Sequence, residues 1–211
     1  MNEAERAAFH PDFVRAVAFA AHLHAGQTRK KSDIPYIAHL IAVAGIVLDY
    51  GGGRDEAIAA LLHDSIEDQA DTYPGKAQAL RRKIEEDFGA PVLAIVNGCT
   101  DAETVPKPPW LERKKQYIAH VRHATDDVRL VSCADKLHNA RAIVADLRAV
   151  GLDVFERFKG GREGTLWYYS ELAAVFSERA PGALGAELSR AVADMRDLAT
   201  AGALQRAQST K

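Results

Sequence analysis

Apolar residues recur along this chain at helical spacing, three and four apart, and strand signals are weak throughout. Phe13, Val14, Val17, Ala18, Ala20 and Ala21 give a first helix its apolar face. Pro11 lies near its start, and Gly26 stops it after about His24. Pro35 opens a second helix, Tyr36 to about Tyr50, with Ile37, Leu40, Ile41, Val43, Ala44 and Val47 on its apolar side. The run Ala57-Ile58-Ala59-Ala60-Leu61-Leu62 predicts a third, N-capped by Asp55 and continuing into His63-Asp64-Ser65-Ile66-Glu67-Asp68. Further helices are expected over 76–88, closed by Gly89, and from Pro91 to about Thr100. Others follow at 110–123, at 128–150 behind a capping pair Asp126-Asp127, at 165–178 and at 184–204. Thr72-Tyr73-Pro74-Gly75 reads as a turn and the Pro-containing stretch 101–109 as a loop. The Gly-rich, charged stretch 151–164 reads as a mobile surface loop, and 205–211 as a frayed end. The expected fold is all-α: one helical domain over 1–180, with 181–211 a helical extension packing on it. No internal repeat or second domain is visible.

Composition narrows the function classes. The chain has 211 residues, 47% hydrophobic and 27% charged, enough for one sizeable core. A net charge of −2 gives no basic excess for nucleic acid or an anionic membrane surface. The start Met1-Asn2-Glu3-Ala4-Glu5-Arg6 lacks the basic and apolar regions of a signal peptide, and no apolar stretch approaches a membrane span. Cys99 and Cys133 lack the paired spacing of a zinc site and read as buried free thiols. A soluble, cytoplasmic protein is the expectation.

The chemistry concentrates after Leu62. On a helix, His63 and Glu67 are one turn apart, as are Asp64 and Asp68, so all four project from one sector. Three carboxylates and an imidazole there repel one another unless a cation joins them, and the mixed donor set suits Mn, Fe or Zn better than Ca. The bland alternative, an acidic helix C-terminus in solvent, runs against the macrodipole. His39 alone reads as a core histidine. Asp135 falls within the apolar surface of the 128–150 helix, with Asn139 one turn on. A buried carboxylate there needs a metal, or an ion pair with Lys136 or Arg141. The loop Gln27-Thr28-Arg29-Lys30-Lys31-Ser32-Asp33-Ile34-Pro35 reads by itself as a solvated turn, although its cations can also receive phosphates.

Together His39, His63-Asp64 and Asp135 resemble the H…HD…D pattern of the HD-domain metal-dependent phosphohydrolases. Ala25-Gly26-Gln27-Thr28-Arg29-Lys30 followed by Pro35-Tyr36-Ile37-Ala38-His39 is similar to the hydrolase domain of the RelA/SpoT family. So are Ala60 to Asp68, Ala134-Asp135-Lys136-Leu137-His138-Asn139-Ala140-Arg141 and Tyr169-Ser170-Glu171-Leu172-Ala173. The resemblance covers roughly 10–178. With no synthetase domain or regulatory tail after it, the chain is expected to match the stand-alone small alarmone hydrolases. The resemblance implies an all-α HD fold with one divalent metal, most commonly Mn2+, held by His39, His63, Asp64 and Asp135. It implies hydrolysis of the 3′-pyrophosphate of guanosine tetra- or pentaphosphate, with Glu67 and Asp68 orienting or deprotonating the attacking water. Arg29, Lys30, Lys107 and Asn139 would contact nucleotide or phosphates, and Tyr169 would line the pocket. The expected partner is a small-molecule nucleotide, with neither nucleic acid nor membrane; a homodimer is compatible with it. The loop around Lys107 is longer than the family's, and the Gly-rich segment before Trp167 aligns poorly.

Two other functions stay open at this point: an HD phosphohydrolase acting on another nucleotide or phosphate ester, and a non-catalytic HD module that binds a nucleotide or a protein. The intact ligand set with Glu67 and Asp68 argues against the second.

Overall fold

Six consecutive residues, Ala57 to Leu62, are completely shielded from solvent, and the first part of the fold is built around them. The computed structural model describes residues 3–100, 108–180 and 182–209. Among these there is no strand, and the sheet-like pairing is a single antiparallel bridge between Thr28 and Pro35. The all-α expectation holds. Chain contacts divide the molecule into two compact units, Met1–Lys107 with Ala124–Ala134, and Pro108–His123 with Asp135–Lys211.

The first unit contains α1 (Glu3–Leu23), α2 (Ile37–Asp49), α3 (Arg54–Leu62), α4 (Ser65–Gln69), α5 (Lys76–Phe88) and α6 (Ala90–Cys99). It also holds the start of α8 (Asp126–Val150), which follows α7 (Trp110–His123) in the chain. Helix α3 packs against α1, α2 and α6. A helix that is apolar on all sides is stable only when covered on all sides. Each fully buried Leu or Ile contributes roughly 1.5–3 kcal/mol through removal from water. The end of α5 is set by Gly89, whose φ of +100° suits only glycine, and whose N–H donates to the Glu85 carbonyl. Helices α6 and α8 approach closely at Gly98, where an added Cβ would lie 2.5 Å from Val128 Cγ2.

The second unit contains α7, the rest of α8, a 3-10 helix (Gly151–Arg157), α9 (Gly161–Arg179) and α10 (Ala183–Ser209). Helix α9 packs on α7, α10 and the 3-10 helix. Gly160 and Gly164 lie against the Trp110 indole, where side chains would collide with the ring.

Several boundaries differ from the sequence expectation. Helix α1 begins at Glu3 and carries Pro11 inside it. The third helix is not continuous through Asp68; it stops at Leu62, and α4 starts at Ser65. Its N-cap is Gly53, whose N–H donates to Glu56 Oε2 at 3.0 Å, while Asp55 lies in the first turn. Asp126 and Asp127 fill the first turn of α8, and Thr125 precedes it with its hydroxyl 3.5 Å from the Val128 N–H. The stretch 151–164 is not a mobile loop: Val154 and Phe155 are buried, and those two side chains anchor the 3-10 helix in the core. The C-terminal helix continues to Ser209.

Candidate active site

The break between α3 and α4 forms the site. His63 follows α3 with helical φ and ψ, and Asp64 sits at φ −94°, ψ 0°, the bridge region of backbone space. His63 is buried, and its Nδ1 lies 2.8 Å from the Ala60 carbonyl. A carbonyl only accepts, so Nδ1 carries the proton, the orientation that histidine ligands of metals commonly show. The other nitrogen, Nε2, lies 3.0 Å from Asp64 Oδ2. A ring nitrogen facing a carboxylate oxygen at that distance needs a positive charge between them, either a proton or a metal ion.

His39 comes from the first turn of α2, 1% exposed, with Nε2 3.6 Å from the same Asp64 oxygen. The His39 and His63 rings meet edge to face at 5.3 Å. Asp135 follows Ala134 directly on α8 and is 5% exposed. One ligand atom each from His39, His63 and Asp135 lie within 4.8 Å of one another. Bonds from such donors to a divalent transition metal are about 2.0–2.2 Å long, so a group of this spread could surround one ion. Two imidazoles with carboxylate oxygens match the borderline metals and not a pure oxygen site. The donor set therefore fits a divalent ion. Asp64 approaches both imidazoles and accepts a hydrogen bond from the Tyr36 hydroxyl at 2.5 Å.

Asp135 also makes the ion pair that the sequence offered as its alternative. Lys136 Nζ is 2.5 Å from Oδ2, and Asn139 Nδ2 donates to Oδ1. The Lys136 ammonium lies 4.8 Å from the centre of the Tyr117 ring, a cation–π distance. Burial, the largest single influence, would depress the lysine, but the Asp135 charge and hydrogen bond together with the Tyr117 and Tyr168 side chains outweigh it and hold the ammonium well above the usual lysine range.

The other expected residues are placed as follows. Glu67 and Asp68 lie in α4, Glu67 partly covered and Asp68 exposed. The basic loop is a closed turn and not an open one. Arg29 N–H donates to the Ile34 carbonyl at 2.8 Å, and Tyr36 N–H to the Gln27 carbonyl at 2.9 Å. Arg29 is partly covered and Lys30 exposed. Tyr169 is buried in α9, its ring edge to face with Tyr168. Lys107 lies outside the described residues.

Sequence reasoning passed over His24, Gln27 and Tyr36. His24 is 3% exposed, stacks on Tyr36 with ring centres 5.4 Å apart, and is held below the usual histidine range chiefly by burial. Gln27 and Tyr36 lie within the family-like segments around Arg29 and His39, and His24 directly precedes the first of them; none of the three carries a fixed charge to mark it.

The HD-domain family profile matches residues 16–166. The guanosine-3′,5′-bis(diphosphate) 3′-pyrophosphohydrolase MESH1 of Xenopus tropicalis is 40% identical over 131 residues, 61% of this chain and 67% of that protein. Human MESH1 is 39% identical over the same shares. A probable enzyme of the same name from Synechocystis is 35% identical over 67% of this chain and 18% of its own length. Among solved structures, one described as a metazoan orthologue of SpoT that hydrolyses ppGpp superposes with a TM-score of 0.67 at 24% identity, over 85% of this chain and 93% of that one. At that identity the superposition speaks for the fold, and the profile, with the 40% identical relative, speaks for descent. The chain belongs to the HD-domain family, with relatives of the MESH1 and SpoT-like kind.

Proposed function

We propose that this protein hydrolyses the 3′-pyrophosphate of guanosine tetra- and pentaphosphate, releasing pyrophosphate and leaving GDP or GTP. The observation that carries this reading is the convergence of His39, His63 and Asp135 to within 4.8 Å, in a chain 40% identical to a pyrophosphohydrolase of that specificity. His39, His63, Asp64 and Asp135 would hold one divalent ion, Mn2+ in our reading. When bound, the ion supplies Lewis acidity toward water and phosphate oxygens.

The chain's own groups do the rest. Asp68 or Glu67 accepts a proton from the attacking water, whose oxygen adds to the phosphorus next to the ribose 3′ oxygen. The bond from that phosphorus to the 3′ oxygen breaks, the 3′ oxygen takes up a proton to become a hydroxyl, and pyrophosphate carrying the water oxygen leaves. Arg29 and Lys30, on their closed turn, neutralise charge on the departing phosphates, with Lys107 as a further cation. Asn139 and Tyr169 complete the substrate contacts. Residues 1–180 act as the hydrolase domain and 181–211 as its helical extension. The free thiols at Cys99 and Cys133 and the nucleotide substrate support action in the cytoplasm. Among the described residues no helix is long and apolar enough to cross a membrane.

The test is product analysis of the purified protein with Mn2+ and a panel of nucleotides. Guanosine tetraphosphate should give GDP and pyrophosphate, with no monophosphate. Monophosphate as the only product, or turnover of other phosphate esters alone, would move the protein to a different HD phosphohydrolase activity.

A further inference from the structure

A chain of hydrogen bonds runs from the buried His24 to the exposed carboxylate of Asp68. Gln27 Nε2 donates to Asp68 Oδ2 at 2.7 Å. Gln27 Oε1 lies 2.7 Å from His24 Nδ1 and accepts from Gln69 Nε2 at 2.5 Å. Gln69 Nε2 also lies 3.4 Å from His24 Nδ1, but its short bond goes to Gln27 Oε1, and the 2.7 Å contact of Nδ1 with that same oxygen sets the donors and acceptors. A carboxylate only accepts, so the NH2 side of the Gln27 amide must face Asp68. The amide oxygen is thereby turned toward His24, and because it too only accepts, the His24 proton must sit on Nδ1. One exposed carboxylate thus fixes an amide orientation and a buried tautomer.

The backbone holds this relay from both sides. Gln27 N–H donates to the His24 carbonyl at 3.0 Å, and the Gln27 carbonyl accepts from Tyr36 N–H at 2.9 Å. His24 is in turn packed on the Tyr36 ring, and the Tyr36 hydroxyl reaches Asp64. Asp68, by contrast, sits on a helix of five residues with its side chain in solvent. Several rotamers are open to an exposed carboxylate, and the bond from Gln27 Nε2 favours one of them.

We propose that Gln27 is a positioning residue that holds the Asp68 carboxylate in its reactive orientation, with His24 fixing Gln27 through an Nδ1–H tautomer. This rests on the reading of Asp68 as the group that takes the water proton. Gln27 touches neither the ion nor the transferred phosphorus in this scheme; it acts through Asp68 alone.

The experiment combines kinetics with a tautomer measurement. Gln27→Met keeps the shape of the side chain and removes both polar ends. It should lower kcat by roughly 10–100-fold, the scale of an ångström of misplacement, while KM for guanosine tetraphosphate and metal content stay unchanged. In an Asp68→Asn background the same substitution should cost nothing further, because residues acting as a unit are not additive. Nitrogen-15 spectra of wild-type protein loaded with a diamagnetic divalent ion should show His24 as the Nδ1–H tautomer, a readout that needs neither turnover nor a variant. The inference is overturned by an Nε2–H tautomer in the wild type. It is equally overturned by a raised KM with kcat kept, or by an equal loss of kcat in both backgrounds. An inactive Asp68→Asn beside a fully active Gln27→Met removes this inference alone. A fully active Asp68→Asn removes the proton-acceptor reading of Asp68 and this inference with it.

Discussion

Lys136 holds the Asp135 carboxylate from 2.5 Å while its ammonium lies 4.8 Å from the centre of the Tyr117 ring. The lysine is therefore a built-in counter-charge for a carboxylate that would otherwise be buried as an anion. Removing one partner of a buried pair typically costs about 3–5 kcal/mol, because the other charge is left uncompensated. Lys136→Met should show such a loss in metal-free protein. A divalent cation would replace the missing positive charge. The rise in Tm on adding Mn2+ should thus be larger in Lys136→Met than in the wild type. Thermal unfolding with and without a chelator reads both numbers; an equal metal-dependent rise in the two proteins would detach Asp135 from the ion.

The cluster of His39, His63, Asp64 and Asp135 should bind as a unit. His63→Ala removes the imidazole whose Nδ1–H is oriented by the Ala60 carbonyl, and Asp135→Ala removes a carboxylate shared with Asn139. Either change should leave the purified protein with little metal after gel filtration, with helicity by circular dichroism retained. Full metal occupancy in both variants would place the ion elsewhere.

Much of this site was legible in the sequence because it is built from residues whose burial is costly. A carboxylate inside an apolar helical surface demands an explanation, and Asp135 stood out that way, whereas His39 read as a core histidine until it was set beside His63 and Asp64. The bounds of α7, Trp110 and His123, coincide with the helix expected from the sequence. The helix break at His63-Asp64 was not legible, because neither residue is a helix breaker and no glycine or proline stands between Leu62 and Ile66. The order of 151–164 was hidden for the opposite reason. Its glycines suggested a loop, while Val154 and Phe155 anchor it in the core and Gly160 and Gly164 make room for Trp110. The Gln27 relay was invisible because hydrogen bonding between uncharged side chains leaves no periodic or charge signature.

The turn at Arg29 and Lys30 offers a test of substrate binding separate from metal binding. Its backbone bonds to Ile34 and Tyr36 remain when the side chains are cut back, so Arg29→Ala and Lys30→Ala should fold normally. Each should weaken productive binding of guanosine tetraphosphate by about 1.5–3 kcal/mol in kcat/KM, the range for hydrogen bonds to charged groups. Lys30, the more exposed, should fall at the lower end. Metal content should not change. Unaltered kinetics in both would return the turn to a solvated role.

Glu67 and Asp68 separate catalysis from metal binding. Both are one helical turn beyond a residue of the cluster in sequence, and both precede the end of α4 at Gln69. Glu67→Gln or Asp68→Asn keeps size and hydrogen-bonding shape but removes the ability to take a proton. The variant of whichever residue serves as the base should lose about 10²–10⁴-fold in kcat, the usual range for general acid–base help. Near-normal turnover in both, in protein confirmed to be metal-loaded, would shift the search for a base to His138 and Tyr169.

A last prediction concerns the framework beneath the site. Arg54 opens α3 and ties it to α1 through Asp12 Oδ2, at 2.8 Å from Nε, and to the end of α5 through the Phe88 carbonyl at 3.3 Å. The hydrogen bond from Arg54, helped by one from Arg15, holds the Asp12 carboxyl below its ordinary value. A group whose folded value is depressed adds stability above its unfolded value, and that contribution is lost as pH falls through the folded value. The unfolded value is about 3.9 for an aspartate, so the contribution is complete at neutral pH and declines below about pH 4. Asp12→Asn should therefore lower Tm at pH 7 by about 2–4 °C, the shift that ~1 kcal/mol produces in a chain of this length. The gap between variant and wild type should close as the pH is taken below about 4. A gap that stays constant across that range would mean that packing of α1 on α3, and not the carboxylate charge, is what the substitution disturbs. Arg54→Met should remove the same pH-dependent contribution and, by also releasing the Phe88 carbonyl, lower Tm further at every pH.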